Sequence, residues 1–285
     1  MLTETFHSLV AAARNVFKSW QSTLLIAAVY ASLLGLLYLF VSIREATLWQ
    51  VTLTFVFAVT VPLLFFILQA MIASGGASRI AAGASETDQV AAGFVLKRSL
   101  TNFWKLILIS LPLIALGILI AYLLARAQNH FGQTPEPAIP LPHPLTASST
   151  AAHAARPINW KVALFSALRY LSFGLVLPLA AIHLWLATVH DGLVGALKKL
   201  ATLLSRAFAP RSVLIYVIGF LIFAVAPYFL LFKTTQTNHV WLELSFLIAR
   251  LLVVFALTLL GWTITVRALA PFSPAPSPEP ASEAA

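Results

Sequence analysis

The sequence predicts an all-α fold: a polytopic membrane helical bundle of six transmembrane helices, with three amphipathic helices in the inner interface. Six apolar stretches are each long enough to cross a bilayer, which takes about 20 mostly apolar residues in a helix. Only 9% of the 285 residues are charged and the mean hydropathy is +0.91, whereas a soluble domain carries about 25% charged residues. The predicted spans are 22–43, 47–73, 104–125, 162–190, 212–232 and 240–266.

A short amphipathic segment precedes the first, third and fifth spans. In the first segment, apolar residues recur at helical spacing: Phe6, Leu9, Val10, Ala13, Phe17 and Trp20. The second segment lies at 91–105 and the third at 193–208, and both place lysine and arginine beside apolar positions. This pattern is typical of a helix that lies in the plane of the membrane interface.

Each amphipathic segment leads into a pair of spans, so the chain divides into three units that begin near residues 1, 86 and 191. Two interpretations are open. Either the chain is a degenerate threefold repeat, or its inner loops share only the basic, amphipathic character that is common in membrane proteins. In both cases residues 1–270 form a single six-span membrane domain.

Two segments are predicted to remain unpacked. Residues 127–158 form an outer loop in which six prolines stand among alanine, serine and threonine, and residues 271–285 form a proline-rich C-terminal tail. Such compositions favour extended, solvated chain. We therefore expect a solvent-exposed outer loop and a disordered tail.

Four spans contain a proline and the first contains a row of small residues. The prolines are Pro62, Pro112, Pro178 and Pro227, and the small residues are Ala27, Ala31 and Gly35. Proline removes a backbone hydrogen bond and bends a helix, although membrane helices tolerate it. A small residue every fourth position lets another helix approach closely. Helix packing is sufficient to explain both features, so neither of them by itself indicates a transport pathway.

The basic residues predict the orientation. The outer segments carry only five of the 18 lysines and arginines: Arg44, Arg126, Arg156, Lys161 and Lys233. Two more lie inside spans, and the remaining 11 lie on the inner side. Because basic residues accumulate on the cytoplasmic side, the sequence predicts a bacterial inner-membrane protein with both termini in the cytoplasm.

The motif content argues against an enzyme. Cysteine is absent, and the sequence lacks the phosphate-binding loop, the H-E-x-x-H zinc motif and the G-x-S-x-G nucleophile elbow. We therefore expect no catalytic residues, cofactor or metal. The net charge of +9 is not concentrated in a soluble block, which predicts that the partner is not nucleic acid but the anionic headgroups of membrane lipids. A homo-oligomer or another membrane protein is a further possible partner.

Residues 97–105, Lys-Arg-Ser-Leu-Thr-Asn-Phe-Trp-Lys, resemble the inner start of a span in several uncharacterised prokaryotic six-span families. One of these families is similar to the membrane domain fused to some glycerophosphodiester phosphodiesterases. The soluble phosphodiesterase domain has no counterpart in this sequence. The resemblance implies a bacterial integral membrane protein without an assigned reaction.

Arg250 lies deep in the sixth span and Arg169 at comparable depth in the fourth. Ionisable groups at such depth usually face the bundle or a water-filled cavity. Glu243, two turns before Arg250, is a candidate partner. Two interpretations compete: the arginines bind an anion, or they extend toward the outer surface and tie helices together.

His183, His190 and Asp191 share one helical face near the inner end of the fourth span. Imidazole and carboxylate groups carry protons or bind divalent metals, although the spacing is not that of a helical zinc motif. Asp191 also stands where the following amphipathic helix would begin, so it is equally a candidate N-cap.

These observations predict a non-catalytic membrane protein, either a scaffold or assembly factor or a protein that handles lipids. The alternative is a small transporter with an anion site near Arg250 and Arg169.

Overall fold

The computed structural model describes residues 1–43, 47–82, 92–131, 160–233 and 239–270. Within these residues it contains ten α-helices and two π-helical turns. They are α1 (Leu2–Lys18), α2 (Trp20–Ser42), α3 (Leu48–Ala82), α4 (Ala92–Phe131), α5 (Trp160–Leu171), π1 (Ser172–Val176), α6 (Leu177–Lys198), α7 (Leu200–Ala207), α8 (Pro210–Phe220), π2 (Leu221–Val225), α9 (Ala226–Phe232) and α10 (Val240–Leu269). Six helical stretches are long and apolar enough to cross a membrane. The predicted all-α, multi-pass bundle is confirmed.

The first amphipathic segment forms α1, which ends at Lys18 and is followed by Ser19. The backbone of Ser19 leaves the helical region (φ −93°, ψ 47°), and α2 begins at the next residue. The Ser19 hydroxyl donates a hydrogen bond to the Asn15 carbonyl at 2.8 Å. A serine that bonds to the preceding turn competes with continued helix, so Ser19 separates the amphipathic helix from the first span.

The second amphipathic segment is continuous with the third span, because α4 runs without interruption from Ala92 to Phe131. The helix also includes residues 127–131, the first part of the predicted outer loop. The rest of that loop, residues 132–158, and the predicted tail at 271–285 lie outside the described residues.

The third amphipathic segment begins at a kink. Gly192 has φ 77°, a left-handed conformation that L-residues with a side chain rarely adopt. A glycine of this kind commonly ends a helix. The chain turns here from the apolar part of α6 into the stretch that continues through α7.

Both π-helical turns precede a proline. Turn π1 ends two residues before Pro178, and π2 ends two residues before Pro227. Proline cannot donate to the carbonyl four residues earlier and its ring crowds that carbonyl. The wider π turn accommodates both effects. Pro62 and Pro112, by contrast, lie within continuous α-helix.

The chain forms two compact units. Of the described residues, the first unit comprises those in Met1–Leu111 and those from Leu179 onward, and the second comprises those in Pro112–Pro178. In the first unit, every residue from Leu179 to Val189 except Ala181 is buried. This part of α6 is apolar around most of its circumference, as expected for a helix that other helices surround. In the second unit, Gly117 of α4 packs against Leu177 and Phe173.

Polar side chains link the spans of the first unit. Trp262 donates to Gln69 at 2.9 Å, and Trp185 donates to Ser110 at 2.8 Å. Helices in lipid gain little from burying apolar surface, so close packing and such hydrogen bonds hold them together.

Candidate functional site

Arg250 lies in α10 and contacts the end of the preceding helix. One guanidinium nitrogen, Nη1, donates a hydrogen bond to the backbone carbonyl of Lys233, directly after α9. The last carbonyls of a helix have no partner within the helix, and a basic side chain satisfies them well. This contact ties α10 to the end of α9.

Glu243 and Arg169 are both exposed. Glu243 lies in the first turn of α10, where a negative charge favours the helix N-terminus. Arg169 lies in the last turn of α5, and the helix continues past it into π1 without a break. Arg169 belongs to the second compact unit and Arg250 to the first.

His183 is fully buried in the central part of α6. Its Nδ1 lies 3.0 Å from the Leu179 carbonyl, which can only accept, so Nδ1 carries a proton and donates this hydrogen bond. Among the described residues, Nε2 has no hydrogen-bond partner. His183 is therefore separate in its contacts from His190, although both lie on one helical face.

His190 and Asp191 form a cluster with a residue that the sequence did not indicate. The Asp191 carboxylate accepts hydrogen bonds from His190 Nδ1 at 2.7 Å and from Lys199 Nζ at 3.0 Å. The kink at Gly192 brings Lys199 back to Asp191. In both of these hydrogen bonds the partner of the Asp191 carboxylate is a side chain and not the backbone of the following helix. Arg98 adds a hydrogen bond from Nη2 to the Val189 carbonyl at 3.3 Å.

The cluster suits a structural joint better than a metal centre. Within the described residues, no group of three or more His, Asp or Glu side chains has a geometry that would hold a metal ion. Two cationic or hydrogen-bond donating groups already occupy the carboxylate. What the arrangement does is hold the amphipathic stretch against the end of the fourth span.

Helix α1 presents three faces, because successive residues of an α-helix are rotated by about 100°. One face is buried and consists of Thr5, Leu9, Ala12 and Val16. A second face, here called the exposed α1 stripe, is apolar and consists of Leu2, Phe6, Val10 and Phe17. The third face is polar and exposed and consists of Glu4, His7, Arg14 and Lys18.

The buried face packs on α8 and α10, so the exposed α1 stripe is directed away from the protein core. Phe6 and Phe17 are 65% and 66% exposed. Beside a polar face with Arg14 and Lys18, this stripe has the character of a helix surface that sinks into the headgroup region. The residues of α1 that suit the membrane interface are therefore not the residues that pack against α8 and α10.

The third amphipathic segment has a similar arrangement. Its buried residues include Leu203 and Ala207, its exposed apolar residues include Val194, Leu197 and Phe208, and its basic residues are Lys198, Lys199 and Arg206. Two amphipathic segments thus combine a packed face with an apolar exposed face and with basic residues.

Arg211 joins α1 to the start of α8. Its Nη2 donates to Ser8 Oγ at 3.2 Å, and its Nη1 lies 3.4 Å from Glu4 Oε2. The sequence does not single out Arg211, because its partner Ser8 lies 203 positions away and no local pattern marks the contact. The contact of Lys199 did have a local signal. Gly192 follows His190 and Asp191 at the end of an apolar run, and a glycine at such a position indicates a break in the helix.

The geometry thus offers an interfacial surface on the side of the first unit where α1 lies, here called the α1 side. No family model, no curated protein and no solved structure matches this chain.

Proposed function

We propose that this multi-pass membrane protein has a non-catalytic, lipid-handling role and that its α1 side binds anionic phospholipids of the inner leaflet of a bacterial inner membrane. The observation that carries the proposal is the three-faced helix α1. Its packed face fixes the helix on the bundle, its exposed apolar stripe suits contact with lipid tails, and its polar face carries Arg14 and Lys18.

Electrostatics favours anionic lipid as the partner. Each lysine or arginine near an anionic membrane surface contributes about 1 kcal/mol of attraction. Arg14 and Lys18 of α1, and Lys198 and Arg206 of the third amphipathic segment, are all exposed. With this side in the cytoplasm, these residues meet the leaflet that holds anionic lipid.

A scaffold or assembly factor would use the same platform, since it too requires a fixed surface and no chemistry. Lipid handling is favoured because the surface on offer is apolar and basic at the membrane interface. A soluble protein partner would be expected to meet a surface outside the lipid.

The second candidate is an anion transporter that uses Arg250 and Arg169. The hydrogen bond from Arg250 to the Lys233 carbonyl supports a structural role instead, because it joins α10 to the end of α9. No described contact favours the transporter over the lipid-handling role.

The experiment reconstitutes the protein in nanodiscs that contain equal amounts of phosphatidylglycerol and phosphatidylethanolamine, followed by native mass spectrometry of the retained lipids. We expect the protein to retain phosphatidylglycerol preferentially. The double substitution Arg14→Gln and Lys18→Gln should remove that preference, because it removes two charges from the polar face of α1.

The matched control is Lys161→Gln with Lys233→Gln, which removes the same charge from positions predicted to lie on the outer side. This variant should retain the preference for phosphatidylglycerol. Equal retention of the two lipids by the unmodified protein, or an equal loss of preference in both double variants, would refute the role.

A further inference from the structure

An apolar groove of about 300 Å³ runs along α10 in the first unit. It lies between α10 and the α8–π2 stretch, and Leu9 from the buried face of α1 also lines it. Thr265 contributes the one polar side chain of the lining, and its hydroxyl donates to the Gly261 carbonyl at 2.7 Å. A molecule in this groove would therefore meet apolar side chains.

Two glycines explain why a groove forms beside a close helix crossing. A Cβ atom on Gly219 would collide with the Thr265 hydroxyl, and one on Gly261 would lie 2.9 Å from Phe223 Cβ. The helices approach closely along this line. Next to it, Ile222 belongs to the wider π2 turn, and the small side chain of Ala256 leaves space on α10. Single π turns of this kind often occur at functional sites.

The length of the groove matches one leaflet of a bilayer. Its lining on α10 extends from Val253 to Thr265, which corresponds to roughly 18 Å at 1.5 Å per residue. Half of a bilayer hydrocarbon core is about 15 Å thick. The groove is therefore long enough for one fully inserted acyl chain.

A basic side chain lies near the α1 end of the groove. Leu9 lines the groove, and the neighbouring residue Ser8 accepts a hydrogen bond from Arg211. Glu4, which pairs with Arg211 at 3.4 Å, is itself 64% exposed. An exposed pair of this kind contributes little to stability, so an anionic phosphate can take the place of the carboxylate.

We infer that this groove binds one acyl chain of an anionic glycerophospholipid from the inner leaflet, with the lipid phosphate at Arg211. Apolar lining, one-leaflet length and a guanidinium at the end nearest the interface together match the two parts of such a lipid. The inference rests on the proposed function only for the class of headgroup and for the leaflet. The acyl-chain site itself rests on the groove.

The probe is a phosphatidylglycerol with a photoactivatable diazirine on one acyl chain, incorporated into phosphatidylethanolamine nanodiscs with the full-length protein. After irradiation, peptide mass spectrometry locates the modified residues. We expect saturable labelling of residues 253–265 that unlabelled phosphatidylglycerol competes away. Ala256→Phe fills the groove and should reduce this labelling to the level found on the exposed surface of α3.

Ala58→Phe is the matched control, because Ala58 is an exposed residue of α3 that does not line the groove. This variant should label residues 253–265 as the unmodified protein does. Circular dichroism and thermal unfolding of both variants exclude misfolding as the cause of a loss. Arg211→Gln should retain saturable labelling with a phosphatidylethanolamine probe but lose the advantage of phosphatidylglycerol over it.

Labelling that rises in proportion to probe concentration without saturation, or that is unchanged in Ala256→Phe, would overturn the acyl-chain site. The failure of the proposed function has a different signature. In that case the groove labels saturably, but with phosphatidylglycerol and phosphatidylethanolamine probes alike, and the retained lipids show no anionic preference.

Discussion

Arg267 Nη1 donates a hydrogen bond to the hydroxyl of Ser19 at 3.0 Å, which links the end of the sixth span to the joint between α1 and α2. Arg267 is only 8% exposed. A Cβ atom on Gly75 would lie 2.9 Å from its Nη2, so the same guanidinium also packs against α3. The buried Arg267 guanidinium therefore joins α10 to α3 and to the α1–α2 joint.

Removing the Ser19 hydroxyl should destabilise the bundle. In Ser19→Ala, the buried guanidinium loses a described acceptor, and hydrogen bonds to charged groups contribute about 1.5–3 kcal/mol. Thermal unfolding in detergent would measure the loss. Ser32→Ala is the control, because the exposed Ser32 hydroxyl bonds only within its own helix, to the Ala28 carbonyl. Equal melting temperatures for the two variants would show that the Arg267 contact has no stabilising role.

The crossing of α8 and α10 should tolerate no side chain at Gly219. In Gly219→Ala the new methyl group meets Thr265, and overpacking of this kind typically costs about 1–3 kcal/mol. Gly35→Ala should instead be neutral or stabilising, because nothing lies within 4 Å of the new Cβ and alanine favours a helix over glycine by about 0.5–1 kcal/mol. Urea or thermal unfolding of both variants tests the difference. A Gly219→Ala protein as stable as Gly35→Ala would contradict the crossing.

Replacing Arg250 distinguishes a structural arginine from a transport site. Arg250→Leu should leave the protein folded and leave anion permeability of reconstituted vesicles unchanged, since the described contact of Arg250 is with a backbone carbonyl. Chloride and phosphate efflux are the measurements. An anion flux that the unmodified protein supports and that Arg250→Leu abolishes would instead establish the transporter.

The absence of cysteine makes the orientation directly testable with single introduced thiols. Thr47→Cys and Ser205→Cys place a thiol at exposed positions that the basic residues predict to be outside and inside, respectively. In intact spheroplasts, a membrane-impermeant maleimide should modify Thr47→Cys alone. After lysis it should modify both. The reverse pattern in intact cells would place the termini outside.

The spans were predictable because a backbone in lipid must form its own hydrogen bonds and requires a continuous apolar stretch. The amphipathic segments were also predictable from helical periodicity, although α4 continues through the second one without a break. The π turns before Pro178 and Pro227 were not predictable, since Pro62 and Pro112 show that the same residue also fits an uninterrupted helix. Local packing selects between the two outcomes.

The candidate residues divide in the same way. The sequence identified Asp191 and Arg250 as unusual, because charges within or beside an apolar run are costly. It did not identify Lys199 as a partner of Asp191, or the Lys233 carbonyl as a partner of Arg250. Each of those contacts joins residues from different helical segments, so it depends on how those segments pack.

Composition and periodicity alone determined that this chain is an all-α, multi-pass membrane protein. Whether a segment is stable in lipid or in water follows from its own side chains. Tertiary structure decided which apolar surfaces pack and which remain open. In α1, Leu9 and Phe6 are equally apolar in the sequence, yet Leu9 lies in the core and Phe6 is exposed. Which of the two residues is buried depends on where α8 and α10 lie, and the local sequence of α1 does not specify those positions.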